Sequence, residues 1–587
     1  MILYFCRYAP AEILEAMDAE TEYLHEEGGD VAEAEALLHP QTCSFAKAAL
    51  GSILARDPEG VLFTSCCDST RRLYDVVKRL YPDRFVYMMQ LPVRRDDDGV
   101  QLYRQAVGDL IKAYSEYSGR EFDALKLEEI MRAEQMPCHD DEDGFNGDQD
   151  SDRMVRIGLT GAKIPPSLED AVRAAGAKVV FNASCSGQKN RFYLPPLAND
   201  EEGILAAFIS GVFSKYPCMR MISGSERADG LKKMAAEAEA DGIIYHTIKF
   251  CDNYAYEYAG LLASKQEDDL MILKVETDYT SSAAGQLSTR LEAFVEMIGG
   301  TQREMKSAEE GEYVAMDNTS VEAAAEPSED RRYSLGVDSG STSTNAVVLA
   351  PDGSVAGTAT VPTGAKIGLS AELARKLALE AAGLSCDEEI VTIATGYGRA
   401  GIDFAGEAVT EITCHARGAH RLCPEARTII DIGGQDSKVI KIDELGKVAD
   451  FAMNDKCAAG TGRFLEKTAG ALGVSLDDIG GAACAAQEDI TISSMCTVFA
   501  ESEVVSLIAD GRSEADILNG LCLAVARRNE ALLKRVGAEP PYMMTGGVAR
   551  NEGVVKAFES LLGAKVFVPD EPELAGALGA AIFASEL

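Results

Sequence analysis

The 587-residue sequence contains no tryptophan, only six histidines and no C-x-x-C pair. The histidines (His25, His39, His139, His246, His415 and His420) show no metal-binding spacing and read as surface or satisfied core residues. Without C-x-x-C there is no zinc knuckle and no thioredoxin-type redox motif. A Walker A sequence is also missing, which argues against a P-loop fold. No apolar run approaches the roughly 18–20 residues of a membrane span. The opening stretch MILYFCRYAPAEILEAMDAE has no basic leader, long apolar core or small-residue cleavage site, so it reads as the first strand and helix of a cytoplasmic domain. Positive charge is scarce: 56 Lys and Arg against 95 Asp and Glu give a net charge of −39. Such a field repels phosphate backbones and anionic lipid, so neither nucleic acid nor a membrane surface is expected as a partner.

Cysteine, by contrast, is abundant. An odd total of 15 in a chain without an export signal does not suggest structural disulfides. Scattered thiols either converge on a metal cluster in three dimensions or act as small buried hydrophobes. The length implies two to four domains. An acidic run at 138–153 and an Ala/Glu/Ser-rich stretch at 298–331 divide the chain. The expected organisation is an N-terminal lobe at 1–137, a second lobe at 154–297, a flexible linker at 298–331 and a further domain at 332–587.

The two lobes alternate strand and helix. Short apolar runs at Gly60–Ser65, Arg84–Gln90, Val155–Thr160, Ala177–Ala183 and Gly242–Lys249 are separated by amphipathic stretches such as Ser69–Leu80 and Ser167–Ala175. That alternation predicts α/β architecture with doubly wound parallel sheets, whose ligands sit beyond the carboxyl ends of the strands.

The C-terminal domain carries two acid-tipped hairpins. In YSLGVDSGSTSTNAVVL, Asp338 ends a strand and Gly340, Ser341, Thr342, Ser343 and Thr344 form a turn. In TIIDIGGQDSKVIKI, Asp431 ends a strand before Gly433 and Gly434. Small residues let backbone N–H groups approach phosphate oxygens. A later turn at Gly546 and Gly547 suits close contact with a nucleotide, and LAGALGAA at 574–581 suits a closely packed terminal helix. Together these segments resemble the phosphate-1, phosphate-2 and adenosine motifs shared by acetate and sugar kinases, heat-shock chaperone ATPases and actin. The resemblance implies an actin-like ATPase domain. Asp338 and Asp431 then face each other across a cleft to hold Mg²⁺-ATP, and Gln435 orients the attacking water.

Two cysteines separate this domain from a kinase. Cys457 in NDKCAAGTGRFLE and Cys496 in SSMCTVFAES each precede a predicted helix, whose N-terminus favours thiolate and cluster charge. With DIGGQDSK, these segments resemble the activators of 2-hydroxyacyl-CoA dehydratases and the ATPase subunits of benzoyl-CoA reductases, the BadF/BadG/BcrA/BcrD ATPases. A [4Fe–4S] cluster takes four thiolates, so two per chain imply a homodimer with the cluster on its axis. Cys386, Cys414, Cys423, Cys484 and Cys522 read as packing residues.

In the N-terminal part, Cys43 in HPQTCSFAKAALG, Cys67 in FTSCCDSTRRLYD and Cys251 in KFCDNYAYEYAGL lie at strand-to-helix junctions. With FCRYAPAEILEAMD they resemble the cluster-bearing subunits of 2-hydroxyacyl-CoA dehydratases, where three such cysteines hold a [4Fe–4S] cluster. Cys66, Cys185 and Cys218 raise the number to six, which suits the double-cubane cluster proteins. The expected function is an anaerobic, ATP-dependent iron–sulfur reductase or activator. It would be supplied by a reduced ferredoxin- or flavodoxin-type donor and act on an acyl-CoA or another small molecule. The alternatives are a 2-hydroxyacyl-CoA dehydratase with a fused activator, a small-molecule kinase of the same fold, and a non-catalytic assembly ATPase.

Overall fold

The computed structural model describes residues 1–24, 31–135, 154–187, 200–221, 224–263, 270–279, 284–309, 332–386, 388–454, 458–493 and 497–587. The chain divides into two compact units, Met1–Ile298 and Gly299–Leu587.

The first unit contains two four-stranded sheets, and every strand pair in them is parallel. One runs in the order Thr21–Tyr23, Ile2–Tyr4, Gly60–Thr64, Phe85–Met89. The other runs Ala177–Asn182, Val155–Gly161, Gly242–Ile248, Met271–Thr277. Central strands such as GVLFT and GIIYHTI are buried along their whole length, because helices cover both faces of a parallel sheet and remove any need for polar alternation. Each sheet has the order second, first, third, fourth, so a topological switch point lies between its first and third strands. The helix Glu201–Ser214 buries Ile204, Phe208, Ile209 and Val212 in the core of the first sheet, although the sequence reading placed it in the second lobe.

The helix Ala284–Glu309 continues into the stretch read as a flexible linker. Its TQREMKSAE segment is rich in strong helix formers, which the compositional reading undervalued. Residues 310–331 lie outside the described residues.

The second unit is built from two five-stranded sheets of identical topology. Their orders are Val355–Pro362, Ser343–Leu349, Ser334–Ser339, Val391–Thr395, Glu407–Ala408 and Val448–Asn454, Ser437–Ile442, Thr428–Ile432, Tyr542–Thr545, Val566–Phe567. In both, the first three strands in this order pair antiparallel and the last two join in parallel. This duplicated sheet is the actin-like ATPase architecture. Among the described residues no helix is long and apolar enough to cross a membrane.

Candidate functional site

Each sheet of the second unit contributes a buried carboxylate from its central strand, Asp338 from Ser334–Ser339 and Asp431 from Thr428–Ile432. His415, on the helix Glu411–Leu422, stands between them: Nε2 is 3.7 Å from Asp338 Oδ2 and Nδ1 is 3.6 Å from Asp431 Oδ1. The sequence reading took His415 for an ordinary core or surface residue. It is buried, but its ring faces both proposed magnesium-binding acids. Asp431 also accepts a hydrogen bond from Thr545 at 2.9 Å and one from the buried Lys438 ammonium at 3.3 Å. Lys438 further pairs with Asp436 and Glu411. No local motif announces this network, because its members come from three separate segments.

The two acids differ electrically. Burial pushes the Asp338 carboxyl up to about 6, against the downward pull of His415. Burial acts on Asp431 in the same direction, yet His415, Lys438 and the Thr545 hydroxyl outweigh it and hold that carboxyl below its ordinary value. Asp431 is thus ionised throughout the ordinary pH range, whereas Asp338 takes up its proton below about pH 6 and above that is a buried carboxylate that a cation would relieve.

The glycine turns bring the hairpins together. A Cβ at Gly434 would stand 2.1 Å from Thr342 Oγ1, so only a bare backbone fits against the first turn. Ser341, Thr342 and Gln435 are exposed at the tips, with Gly340, Gly433 and Gly434 partly covered. Ser343 and Thr344 already belong to the return strand. Thr344 is buried, and its hydroxyl bonds to Ser339 and Thr363, so it faces the sheet interior rather than the turn. Gly546 (φ 81°) packs where a Cβ would meet the Ile432 carbonyl at 2.5 Å and Asp431 Oδ1 at 2.9 Å, while Gly547 is open. A cavity of about 420 Å³ adjoins this third turn, lined in part by Ala549, Arg550, Val555 and Lys556.

Cys457 and Cys496 lie outside the described residues. Beyond Cys457, the helix Gly462–Gly470 docks on the turn of the second hairpin, where Gly462 and Arg463 N–H donate to the Gly433 and Gly434 carbonyls at 3.0 and 2.9 Å. Beyond Cys496, the helix Thr497–Ala509 exposes Val498 and Phe499, each 66%, and Val505, 54%. Cys414 and Cys522 are buried packing residues, and Cys386 and Cys423 are half-buried. Cys484 departs from the packing expectation. It ends the short helix Leu476–Ala483 on the surface, and its sulfur accepts from Lys556 Nζ at 2.9 Å.

In the first unit the thiols gather at strand ends. Cys6 follows Ile2–Tyr4, Cys66 and Cys67 follow Gly60–Thr64, Cys185 follows Ala177–Asn182, and Cys251 follows Gly242–Ile248. Cys43 and Cys67 precede the helices Ser44–Arg56 and Asp68–Leu80, and Cys251 precedes Asp252–Ala263. Cys218 lies between two helices and packs with Cys66 against the first sheet's core. Cys43, Cys185 and Cys251 share an aromatic cluster with Tyr245, Tyr254 and Tyr258. Cys6 is the member the sequence reading missed, since FCRYAP carries no cue beyond its place at a strand end. Hydrogen bonds from the Cys6 and Cys67 thiols hold Cys66 well below the ordinary thiol range, and Cys6 and Cys67 are pushed up in turn. At Cys43 and Cys251, burial outweighs the helix N-terminus and raises the thiol, Cys251 to about 12. Among the described residues no three Cys, His, Asp or Glu side chains are placed to share a single metal ion.

Residues 335–584 match the model of the BadF/BadG/BcrA/BcrD ATPase family, and residues 6–136 and 139–298 match that of the 2-hydroxyglutaryl-CoA dehydratase D-component. The chain is similar to the 2-hydroxyisocaproyl-CoA dehydratase activator of Clostridioides difficile, 42% identical over 43% of this chain and 94% of the relative. It is also similar to the activator of lactoyl-CoA dehydratase of Anaerotignum propionicum, 46% identical over 43% of this chain and 98% of the relative. A solved structure of the C. difficile activator with bound ADPNP overlays 43% of this chain and 94% of its own with a TM-score of 0.41. The chain belongs, through its C-terminal module, to the BadF/BadG/BcrA/BcrD ATPase family, joined to an N-terminal half that matches the dehydratase D-component.

Proposed function

We propose that this protein is an ATP-dependent iron–sulfur reductase that couples hydrolysis in residues 332–587 to low-potential electron delivery into its own N-terminal half. The observation that carries the reading is the presence, on one chain, of an activator-family ATPase and a unit with seven cysteines free of disulfides, five of them just past strand ends and Cys43 and Cys218 between helices. Asp338 and Asp431 position Mg²⁺-ATP. Gly340, Ser341, Thr342, Ser343, Gly433 and Gly434 approach its phosphates, Gly546 and Gly547 its adenosine, and the exposed Gln435 its attacking water. The hydrogen bonds from Gly462 and Arg463 to the phosphate-2 turn give nucleotide state a mechanical path toward the segment bearing Cys457.

Cys457 and Cys496 from two subunits would hold one [4Fe–4S] cluster between them. The exposed apolar face that starts immediately after Cys496 supports a homodimer at that point. Cys43, Cys67 and Cys251, with Cys6, Cys66, Cys185 and Cys218 nearby, would hold a second [4Fe–4S] or a double-cubane cluster. The donor set fits: seven thiols free of disulfides, two buried and five half-buried, lie in one unit, and among the described residues no three are placed to share a single ion, as expected of ligands around an iron–sulfide core. When bound, such clusters supply one-electron chemistry at low potential. A ferredoxin- or flavodoxin-type donor would load the dimer in the cytoplasm. A second reading, a 2-hydroxyacyl-CoA dehydratase with its activator fused on, is favoured by the D-component match over residues 6–136 and 139–298.

Full-length protein purified without oxygen is expected to contain iron and sulfide, and dithionite is expected to reduce the N-terminal centre only when ATP is present. Protein without iron, or the same extent of reduction with ADP as with ATP, would overturn the proposal. Dehydration of a 2-hydroxyacyl-CoA by the reduced protein would select the second reading.

A further inference from the structure

The first unit buries two cations that form no ion pair among the described residues, Lys163 and Arg7, which are 7% and 4% exposed. The Arg7 guanidinium is spent on the carbonyls of Ser184 and Tyr216. Lys163 is placed differently. It follows the strand Val155–Gly161, at the switch point of the second sheet, and among the described residues its ammonium donates to Tyr23 Oη alone, at 2.9 Å. Three rings cage it, with Tyr23 and Phe45 centroids at 4.4 Å and that of Phe5 at 5.8 Å.

An aromatic cage holds an ammonium by the quadrupole of the rings and leaves its net charge uncancelled, whereas a carboxylate would neutralise it. Burying that charge is costly unless a counter-charge is present in the working state. With 95 acidic residues against 56 basic ones, the chain does not lack carboxylates to place there. The neighbourhood carries thiols instead: Cys185 N–H donates to the Gly161 carbonyl at 3.0 Å, the caging Phe45 is two residues from Cys43, and Ala162 packs in the cluster of Cys43 and Cys185. Burial pulls the Lys163 ammonium down to about 8, against the opposing influence of Cys185, Cys6, Cys66 and Cys43. Cys6 and Cys66 follow strands of the first sheet and Cys185 a strand of the second, and Lys163 follows a strand of the second while its amine reaches Tyr23 of the first.

We propose that Lys163 is the counter-charge of the anionic iron–sulfide core held by these cysteines and that it sets the reduction potential of that core. The assignment rests on the reading of this unit as a cluster carrier. Thiolates and sulfides outweigh the iron charge, and each electron added deepens the excess. A fixed ammonium therefore favours the reduced form and raises the potential, as charge and hydrogen bonding around a cluster generally do. Lys163 is a positioning residue and takes no part in bond making. A purely structural role is the competing account, because its amine ties to Tyr23 and its carbonyl to the Tyr279 hydroxyl. That role does not touch the potential.

The test uses full-length protein reconstituted without oxygen as native, Lys163→Met and Lys163→Arg forms, with Cys67→Ala marking the iron and the EPR signal of the first unit. Iron per chain and the midpoint potential of that signal are the readouts. The expected result is a more negative midpoint for Lys163→Met at unchanged iron content, restored toward the native value by Lys163→Arg. Iron lost from Lys163→Met but kept by Lys163→Arg, with native circular dichroism in both, also supports the assignment. An unchanged midpoint in Lys163→Met, or an equal shift in both variants, overturns it while the cluster-carrier reading stands. Native protein whose iron content equals that of Cys67→Ala, with no EPR signal lost in that variant, overturns the cluster-carrier reading and the assignment with it.

Discussion

Asp338 shows what a buried carboxylate costs the fold. Its pKa is raised from 3.8 to about 6, with burial the largest cause. The folded state therefore holds this proton more tightly than the unfolded chain. Between about pH 4 and 6 the stability of the nucleotide-free protein falls as pH rises, and above 6 the whole penalty is present. About two pKa units correspond to roughly 3 kcal/mol. Asp338→Asn keeps the shape and removes the charge. The variant is expected to melt higher than the native protein at pH 7.5, with the difference closing by about pH 4. Its ATP hydrolysis should drop on the order of 10²–10³-fold, the usual scale for one preorganised electrostatic contact. Scanning calorimetry at the two pH values, with turnover measured alongside, checks both halves; a variant that melts no higher at pH 7.5 would refute the burial penalty. The two acids were legible in the sequence because each sits in a contiguous strand–glycine–strand pattern. His415, Lys438 and Cys6 were not. Their roles depend on residues distant in sequence that only the folded sheets bring within reach.

At the scale of elements, the site depends on how closely two helices approach. The terminal helix Ala575–Ser585 packs on Glu411–Leu422 and on the strand of Asp338 through positions where only glycine fits. A Cβ at Gly579 would stand 1.8 Å from the Cys414 carbonyl oxygen, and one at Gly576 would stand 2.2 Å from Asp338 Oδ2 and 2.9 Å from His415 Nε2. Gly579→Ala should force the helices apart, move His415, and cost about 1–3 kcal/mol, or several degrees in thermal melting. Gly481→Ala is the control, because that glycine lies in the exposed part of a helix with no neighbour within 4 Å of its Cβ position. It should be neutral or raise stability by about 0.5–1 kcal/mol. Similar melting shifts in the two variants would show that the close approach is not specific. LAGALGAA signalled a close-packed helix in the sequence, but not the partner it packs against. The same kind of limit appears at residues 298–309. There composition suggested a coil, and the local propensity of Glu, Lys, Arg, Met and Ala extended the preceding helix instead.

At the scale of the whole molecule, the chain combines an ATPase-family module similar to dehydratase activators with a unit that matches the 2-hydroxyglutaryl-CoA dehydratase D-component. In the proposed function, tethering makes the encounter of the two units intramolecular and raises the effective concentration of one for the other. A net charge of −39 would otherwise oppose the approach of two free parts, each acidic. The proposed electron path can then be cut at one point while the motor is left running. Cys496 lies next to the exposed Val498 and Phe499 and far along the chain from Asp338 and Asp431. Cys496→Ala should keep ATP affinity and much of the hydrolysis, lose the iron shared between subunits, and fail to reduce the N-terminal centre under ATP and dithionite. Phe499→Glu places a charge on the apolar face and should shift the protein toward monomer in sedimentation velocity, with the same loss of reduction. The pair separates two causes: the first variant removes a ligand, and the second removes the surface that brings two ligands together. If the first reduces its N-terminal centre at the native rate, the electron path does not run through Cys496. If the second remains dimeric with full iron, the dimer forms on another face.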